Sequence, residues 1–447
     1  MFYAWGEPLY VFLMLGTCLS SYIHGILIGK FKGTKWAKVF LVTSILSSVA
    51  ILGFFKYTNF FILNINAIFG TGIEFLKIAL PVGISFYTFQ TLSYTIDVYR
   101  GEAAVQKSFI RLSTYVALFP QLVAGPIVRY TTVEEELSNR KHTFEMFAYG
   151  ARRFVFGLGK KLLIADQFYK LAETFFRNSP EKSVGFFWIY AIANALYIYF
   201  DFSAYSDMAI GLGKTFGFNF LENFNHPYIS KTVAEFWRRW HMSLGSWFRD
   251  YIYIPLGGNR VSAIKWFRNT LAVWFLTGFW HGAAWNFIIW GLYFALFLLL
   301  EKWFLASAFK KMTAFFEEKV KIPVIRKIPG FICHSYVILV VLISFVIFNT
   351  RSLGEGMEFI KSMFGFGGHS FWSSQTTYYL INYAILLVVA IIGSTPVVKT
   401  VATKLSEMPR VGKIVNLLEP VAIAVVLLLC VATLVNDSFT PFLYFQF

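Results

Sequence analysis

The chain has 447 residues, 57% of them hydrophobic and only 14% charged, with a mean hydropathy of +0.58. A soluble domain carries about 25% charged residues, so a globule of this composition cannot cover itself with polar side chains, and lipid must solvate much of its surface. The formal net charge of +16 would suggest nucleic acid in a soluble protein, but the Lys and Arg lie mainly in short stretches between apolar runs, where the positive-inside rule accounts for them without a nucleic-acid partner.

A membrane-crossing helix needs roughly 20 mostly apolar residues. Such spans are predicted at about 9–29, 39–63, 73–96, 184–210, 283–301, 331–349, 377–396 and 416–436, with shorter or more polar apolar stretches at about 109–128, 145–167 and 266–281. The chain opens Met1-Phe2-Tyr3-Ala4-Trp5-Gly6-Glu7-Pro8, without a basic n-region or a small-residue cleavage site, so the first span is expected to stay as an uncleaved anchor. Lys30, Lys32, Lys35 and Lys38 place the first loop in the cytoplasm. Lys302, Lys310, Lys311, Lys319, Lys321, Arg326 and Lys327 do the same for 302–327, and Lys399, Lys404, Arg410 and Lys413 for 397–415. Residues 64–72 and 350–376 then face outside, as do both termini. No linker, low-complexity tract or fixed-period repeat divides the chain. The expectation is one all-α polytopic membrane domain over 1–447, its motif-bearing core at about 73–301 and C-terminal membrane helices at about 331–436.

Residues 109–282 do not follow a simple alternation of sides. The run Phe119-Pro-Gln-Leu-Val-Ala-Gly-Pro-Ile-Val-Arg129 puts two prolines in an apolar stretch, and proline removes a helical hydrogen bond. This piece is predicted to break or re-enter rather than span, which lipid tolerates only where backbone is packed in protein or lines a wet cavity. The cavity is therefore expected in the middle third.

Ionisable residues within apolar segments are functional candidates, and three runs hold them. The first is 201–213, with Asp201, Ser203, Ser206 and Asp207; the two Asp are six apart, off a common helix face, and the following glycines suggest a helix end that Ser203, Ser206 or Asp207 could cap. The second is 235–260, where Glu235 and Arg239 form an i, i+4 pair on a predicted helix that continues through His241, with Arg238 one turn before it. Trp237, Trp240 and Trp247 suit that helix to a lipid–water boundary. Arg238, Arg239 and Arg249, the last beside Asp250, are candidates to meet an anionic group such as a phosphate. The third is 277–286, where His281 lies between Trp280 and Gly282 with Trp285 one turn on and Asn286 beside it. An apolar aromatic pocket keeps an imidazole neutral, as a general base requires; the bland alternative is a core histidine among tryptophans. His24, His142, His226, His334 and His369 are isolated, no pair has the His-x-x-x-His spacing, and no metal is expected. Cys18, Cys333 and Cys430 lie far apart in apolar segments and form neither a metal cluster nor a disulfide framework.

The segments Leu80-Pro-Val-Gly-Ile-Ser-Phe-Tyr-Thr-Phe-Gln90, Tyr94-Thr-Ile-Asp-Val-Tyr-Arg100 and Phe119-Pro-Gln-Leu-Val-Ala-Gly-Pro126 are followed by Tyr199-Phe-Asp-Phe-Ser-Ala-Tyr-Ser-Asp-Met-Ala-Ile-Gly211 and Asn223-Phe-Asn-His-Pro-Tyr228. Glu235-Phe-Trp-Arg-Arg-Trp-His241, Arg249-Asp-Tyr-Ile-Tyr-Ile-Pro-Leu-Gly-Gly-Asn-Arg260 and Trp280-His-Gly282 complete the set. In order and spacing this set resembles the membrane-bound O-acyltransferase (MBOAT) family, in its alginate O-acetyltransferase branch, across about 1–300. The resemblance implies a fold of roughly 9–11 membrane helices, some tilted or re-entrant, around a central cavity. It implies that His281 is the essential catalytic residue and His241 the second polar one, with Arg238, Arg239, Trp240, Asp201, Ser206, Asp207, Arg249, Asp250, Trp280 and Asn286 as supporting or substrate-binding candidates. It further implies no permanently held cofactor, a donor that is acetyl-CoA or another acyl-CoA from the cytoplasm, and an acceptor that is an exported glycan or a serine on an extracytoplasmic SGNH-type, esterase-like acetyltransferase. The implied place is the bacterial inner (cytoplasmic) membrane, with lipid as the surrounding partner.

Two features depart from the family pattern. Members usually carry further hydrophobic helices before the Phe-Tyr-Ala-Trp stretch that Met1 opens here, so the expectation is either a truncated start or a member without them. Residues 303–447 carry no family motif and read as membrane anchoring. The rival within the class is D-alanyl transfer to teichoic acid, which the Arg249–Arg260 run fits less well. Outside it, a transporter would show an inverted repeat with matched broken helices, and none is visible.

Overall fold

The computed structural model describes residues 2–177, 182–436 and 442. They are overwhelmingly helical, and among them extended backbone pairs only at the isolated bridge Ser183–Ser370. The helices used below are α1 (Tyr10–Lys30), α2 (Lys35–Leu52), α3 (Thr58–Phe69), α4 (Ile84–Arg100), α5 (Phe144–Gly159), α6 (Val184–Thr215), α7 (Val233–Arg239), α8 (Met242–Phe248), α9 (Ala263–His281), α10 (Trp285–Leu300), α11 (Ile328–Asn349), α12 (Ser374–Gly393) and α13 (Val411–Asn436). Among the described residues seven helical stretches are long and apolar enough to cross a membrane: Tyr10–Lys30, Lys35–Phe69, Val184–Thr215, Trp285–Lys319, Ile325–Asn349, Ser374–Gly393 and Val411–Asn436. The chain is an all-α, multi-pass membrane protein. These spans are not alike. The most apolar window of Val184–Thr215 is 89% buried in protein and that of Val411–Asn436 only 6%, so α6 is a core element while α13 turns its Leu and Val side chains outward.

Two compact units divide the described chain. One holds the chain up to Phe154 together with Tyr205–Glu222, and the other holds Val155–Ala204 and the chain from Asn223 onward.

In the first unit, the span expected at 73–96 begins later. Residues 70–83 are not helical, and α4 starts only at Ile84. Pro81 has no N–H to give a helix, and Gly83 sits at φ 73° with its α-carbon so close to the 119–126 run that a Cβ would lie 2.7 Å from the Leu122 carbonyl oxygen. The Leu-Pro-Val-Gly segment and the proline-flanked segment therefore belong together: one supplies the glycine that the other's backbone approaches. That second segment is itself non-helical over 118–129, as its prolines predict.

The glycines after Asp207 do not end a helix. α6 runs on to Thr215, and Gly211 instead lets α5 come close: a Cβ there would lie 2.6 Å from the Gly150 carbonyl oxygen, and one on Gly150 2.5 Å from that of Gly211. Asp207 lies inside this helix, and Arg153 on α5 donates to its Oδ1 at 2.9 Å and also to the Glu222 carboxylate.

In the second unit, Lys160–Ala165, Arg249–Tyr253 and Glu301–Leu305 are single π-helical turns that continue α5, α8 and α10. Such turns widen the helix by one residue and recur at functional places. Here they carry Lys161, Arg249 and Glu301.

Candidate active site

His281 is the last residue of α9, and the chain returns at once as α10. Three glycines make this hairpin tight. A Cβ on Gly278 would fall 2.3 Å from the Phe287 carbonyl oxygen, one on Gly291 2.2 Å from that of Trp274, and one on Gly282 2.2 Å from the Phe287 ring. No larger residue fits such approaches, so the glycine of Trp-His-Gly is required by packing against α10. The His281 side chain is thereby held in an aromatic box. Its ring meets Trp290 edge to face at 5.0 Å, Trp280 at 4.9 Å and Phe348 at 5.4 Å, and the residue is 8% exposed.

Phe348 closes the box from α11, within the C-terminal third that the sequence marks only as anchoring. Asn286 holds it there: its Nδ2 donates to the carbonyls of Phe348 at 3.2 Å and Thr350 at 3.1 Å. Asn286 thus supports the site through backbone.

His241 reaches the same layer by a different route. The expected helix through 235–241 stops at Arg239; Trp240 is extended, and His241 lies at φ 43°, ψ 51° before α8 begins. The left-handed region costs a non-glycine residue roughly 1–2 kcal/mol, and such strain persists where the surroundings over-determine it. Here Asn223 does so. Its Oδ1 accepts from His241 Nδ1 (3.2 Å), Ser243 N (3.2 Å) and Ser243 Oγ (2.9 Å), while its main-chain carbonyl accepts from Met242 N (3.0 Å). Because the Asn223 oxygen can only accept, His241 carries its proton on Nδ1 and its lone pair on Nε2. Burial lowers the His241 pKa to about 3, so the ring is neutral. The Trp280 ring stands 6.3 Å from that of His241 and 4.9 Å from that of His281. Trp280 therefore joins the two histidines in one buried layer.

Beside this layer lies a cavity of about 750 Å³. One wall is Thr232, Ala234, Trp237 and Arg238 from α7 and its start, and another is Leu298, Glu301 and Lys302 from the end of α10. Trp274 and Thr277 of α9 also line it, Thr277 one helical turn before His281. Trp237 is the partition: its ring lies 4.6 Å from Trp274 and 5.6 Å from Trp290, the same Trp290 that flanks His281. Three cations, Arg238, Arg249 and Lys302, line the space, and the Lys302 ammonium sits 3.6 Å from the Trp266 ring.

The other residues singled out in the sequence do not line this cavity. Arg239 pairs with Glu235 at 3.0 Å, as its spacing predicts, and its Nη1 donates to the Asn225 carbonyl. Asp250 pairs with its neighbour Arg249 at 2.6 Å. Trp240 packs against Phe236, Phe224 and Tyr228. Asp201 is drawn into a buried ion cluster in which Lys161 Nζ lies 2.7 Å from both Asp201 and Asp166; its neighbour Phe202 packs edge-on to the His241 ring at 4.7 Å. Ser206 is buried, and Asp207 is held by Arg153. Sequence reading missed Asn223, Glu301 and Phe348. The Asn-Phe-Asn-His-Pro-Tyr segment was the one signal for Asn223.

Two buried histidines in one aromatic layer, beside a cavity lined by three cations within a multi-pass helical protein, make a site suited to group transfer. The chain belongs to the membrane-bound O-acyltransferase family, whose model matches residues 102–343, and it is an acyltransferase. It is similar to proteins named probable alginate O-acetylase from Azotobacter vinelandii (36% identity, 100% of this chain and 93% of the relative) and Pseudomonas aeruginosa (39%, 82% and 68%). It is also similar to a peptidoglycan O-acetyltransferase of Helicobacter pylori (32%, 83% and 73%).

Proposed function

We propose that this enzyme moves an acetyl group from cytoplasmic acetyl-CoA, across a bacterial inner membrane, to a hydroxyl of an exported polysaccharide, directly or through an extracytoplasmic SGNH-type acetyltransferase. His281 takes the acceptor proton as the hydroxyl oxygen attacks the thioester carbonyl; the new C–O bond forms, the C–S bond breaks, and the proton passes to the departing thiolate. His241 is the second polar group of the same layer. The observation that carries this reading is a cavity large enough for a nucleotide-sized donor, lined by Arg238, Arg249 and Lys302, that only Trp237 and Trp290 separate from the His281–Trp280–His241 layer. Guanidinium and ammonium groups suit the phosphates of a CoA. Lys302 also opens the basic 302–327 segment, whose charge favours the cytoplasmic side, where an acyl-CoA would enter. The acetyl group and a glycan acceptor are supported by the names of the similar proteins.

The test uses purified enzyme with radiolabelled acetyl-CoA and, in separate arms, alginate, cellulose and peptidoglycan fragments. Wild type is expected to bind the donor and transfer label in at least one arm, whereas His281→Ala binds it and transfers none. Full surface acetylation by cells carrying His281→Ala would remove the assignment, and transfer of D-alanine from a carrier thioester in place of acetyl would move the enzyme to the teichoic acid branch.

A further inference from the structure

Glu301 belongs to no motif, yet it is 7% exposed and begins the π-helical turn that ends α10. Its two carboxylate oxygens accept the backbone N–H groups of Val233 (2.5 Å) and Ala234 (3.1 Å), the first two residues of α7. The next N–H, of Glu235, goes to the Thr232 hydroxyl at 2.9 Å, and the Glu235 carboxylate returns to the N–H of Lys231 at 3.0 Å. The start of α7 is thus satisfied locally in part, and for the rest by a residue 67–68 positions away. A carboxylate suits this place because the first N–H groups of a helix gather partial positive charge.

We propose that Glu301 is a positioning residue for the acyl donor, acting through α7, an inference that rests on the cavity being the donor site. The far end of α7 is held independently, because Asn223 fixes His241, Met242 and Ser243. His281 is held independently too, by the glycine-packed α9–α10 hairpin. Glu301, whose carboxylate Tyr336 of α11 also meets, therefore bears on the cavity-lining end of α7, where Thr232, Ala234, Trp237 and Arg238 line the cavity together with Leu298 and Lys302. It sets the separation of those walls, and with it the seating of the donor rather than the geometry of the reacting groups.

The experiment titrates acetyl-CoA against wild type, Glu301→Gln, Arg238→Gln and the double variant, with thermal unfolding of each in the same detergent. Gln has one acceptor oxygen and would point an N–H₂ at the second backbone donor, so the clamp is lost with little change of volume. Losing a charged hydrogen bond of this kind predicts a rise in donor KM of about ten-fold or more, with kcat held within about two-fold. On the Arg238→Gln background the same change adds less than about two-fold, because both act on one wall. A merely structural role would lower the folded fraction, and so kcat, with donor KM unchanged; that result overturns the inference. Glu301→Asp, which keeps the charge but falls one methylene short, is read in the same way and must also raise donor KM. Wild type that neither binds nor uses acetyl-CoA overturns the donor reading itself, a different outcome from normal donor KM in the variants.

Discussion

The rings of His281 and Trp290 meet edge to face across the α9–α10 hairpin, 5.0 Å between centroids and 83° between planes. Trp290 is 2% exposed and also touches Trp237, Phe294 and Phe348, so it fixes the imidazole orientation while forming the layer behind the cavity wall. Trp290→Phe keeps an aromatic ring but leaves space beside His281. We expect it to lower kcat about ten-fold, more than it raises donor KM, because misplacing a reacting group by a fraction of an ångström is felt mainly in the transition state. Trp290→Ala is expected to lose about 3–5 kcal/mol of stability and to show it as a lower unfolding temperature in detergent. Steady-state kinetics beside unfolding curves check both; an unaltered kcat in Trp290→Phe would remove its orienting role.

The same hairpin predicts which glycines tolerate a methyl group. Gly278→Ala and Gly291→Ala each drive a Cβ against main chain that cannot rotate away, with 2.3 Å and 2.2 Å to carbonyl oxygens, and overpacking of this kind costs about 1–3 kcal/mol or more. Gly16 in α1 has nothing within 4 Å of a built Cβ, so Gly16→Ala is expected to be neutral or slightly stabilising, by up to about 1 kcal/mol. Unfolding midpoints for the three variants test the contrast. Equal midpoints would show that the helices do not pack this closely.

The features legible in the sequence were those set by local spacing. Apolar run length gave most of the spans, the prolines at 120 and 126 gave the broken segment, and the i, i+4 spacing gave the Glu235–Arg239 pair. What failed depended on partners remote in the chain. Asp201 reads as a functional candidate within an apolar span until Lys161, 40 residues earlier, is seen against it. Gly211 reads as a helix stop until Gly150 is seen facing it, and the helix through His241 reads as continuous until Asn223 is seen holding a left-handed turn. Glu301 left no local trace at all, since the N–H groups it accepts are those of a helix it does not adjoin in sequence. Of the candidate site, His281, Trp280 and His241 come together in one layer, while Asp201 is held by Lys161 and Asp207 by Arg153.

The Lys161 cluster sets one buried cation between two carboxylates, at 2.7 Å from each. Removing the cation is therefore expected to be worse than removing either acid. Lys161→Met leaves two like charges in a buried place and should cost at least about 3–5 kcal/mol. Asp201→Asn leaves Lys161 paired with Asp166 and should cost less. The double variant, Lys161→Met with Asp201→Asn, should recover part of the loss of Lys161→Met alone, a coupling that unfolding measurements on the three proteins resolve. Strict additivity would show that the groups do not share one cluster.

His241 makes stability depend on acidity in a direction that can be worked out. Burial holds its folded pKa near 3, against about 6.5 for an unperturbed histidine. Between those values the unfolded chain binds a proton that the folded protein refuses, so stability rises with pH there and falls as the pH is lowered. The contribution is complete above the unfolded value and declines below about pH 6.5. From pH 7.5 to pH 5 the loss attributable to His241 is about 2 kcal/mol. His241→Asn removes the titrating group while keeping a residue that tolerates the left-handed backbone, and so isolates this share from every other group. Unfolding temperatures of both proteins at the two pH values are the measurement: wild type should fall further than His241→Asn on acidification. Parallel falls would mean that His241 takes up its proton as readily in the folded protein as in the unfolded chain.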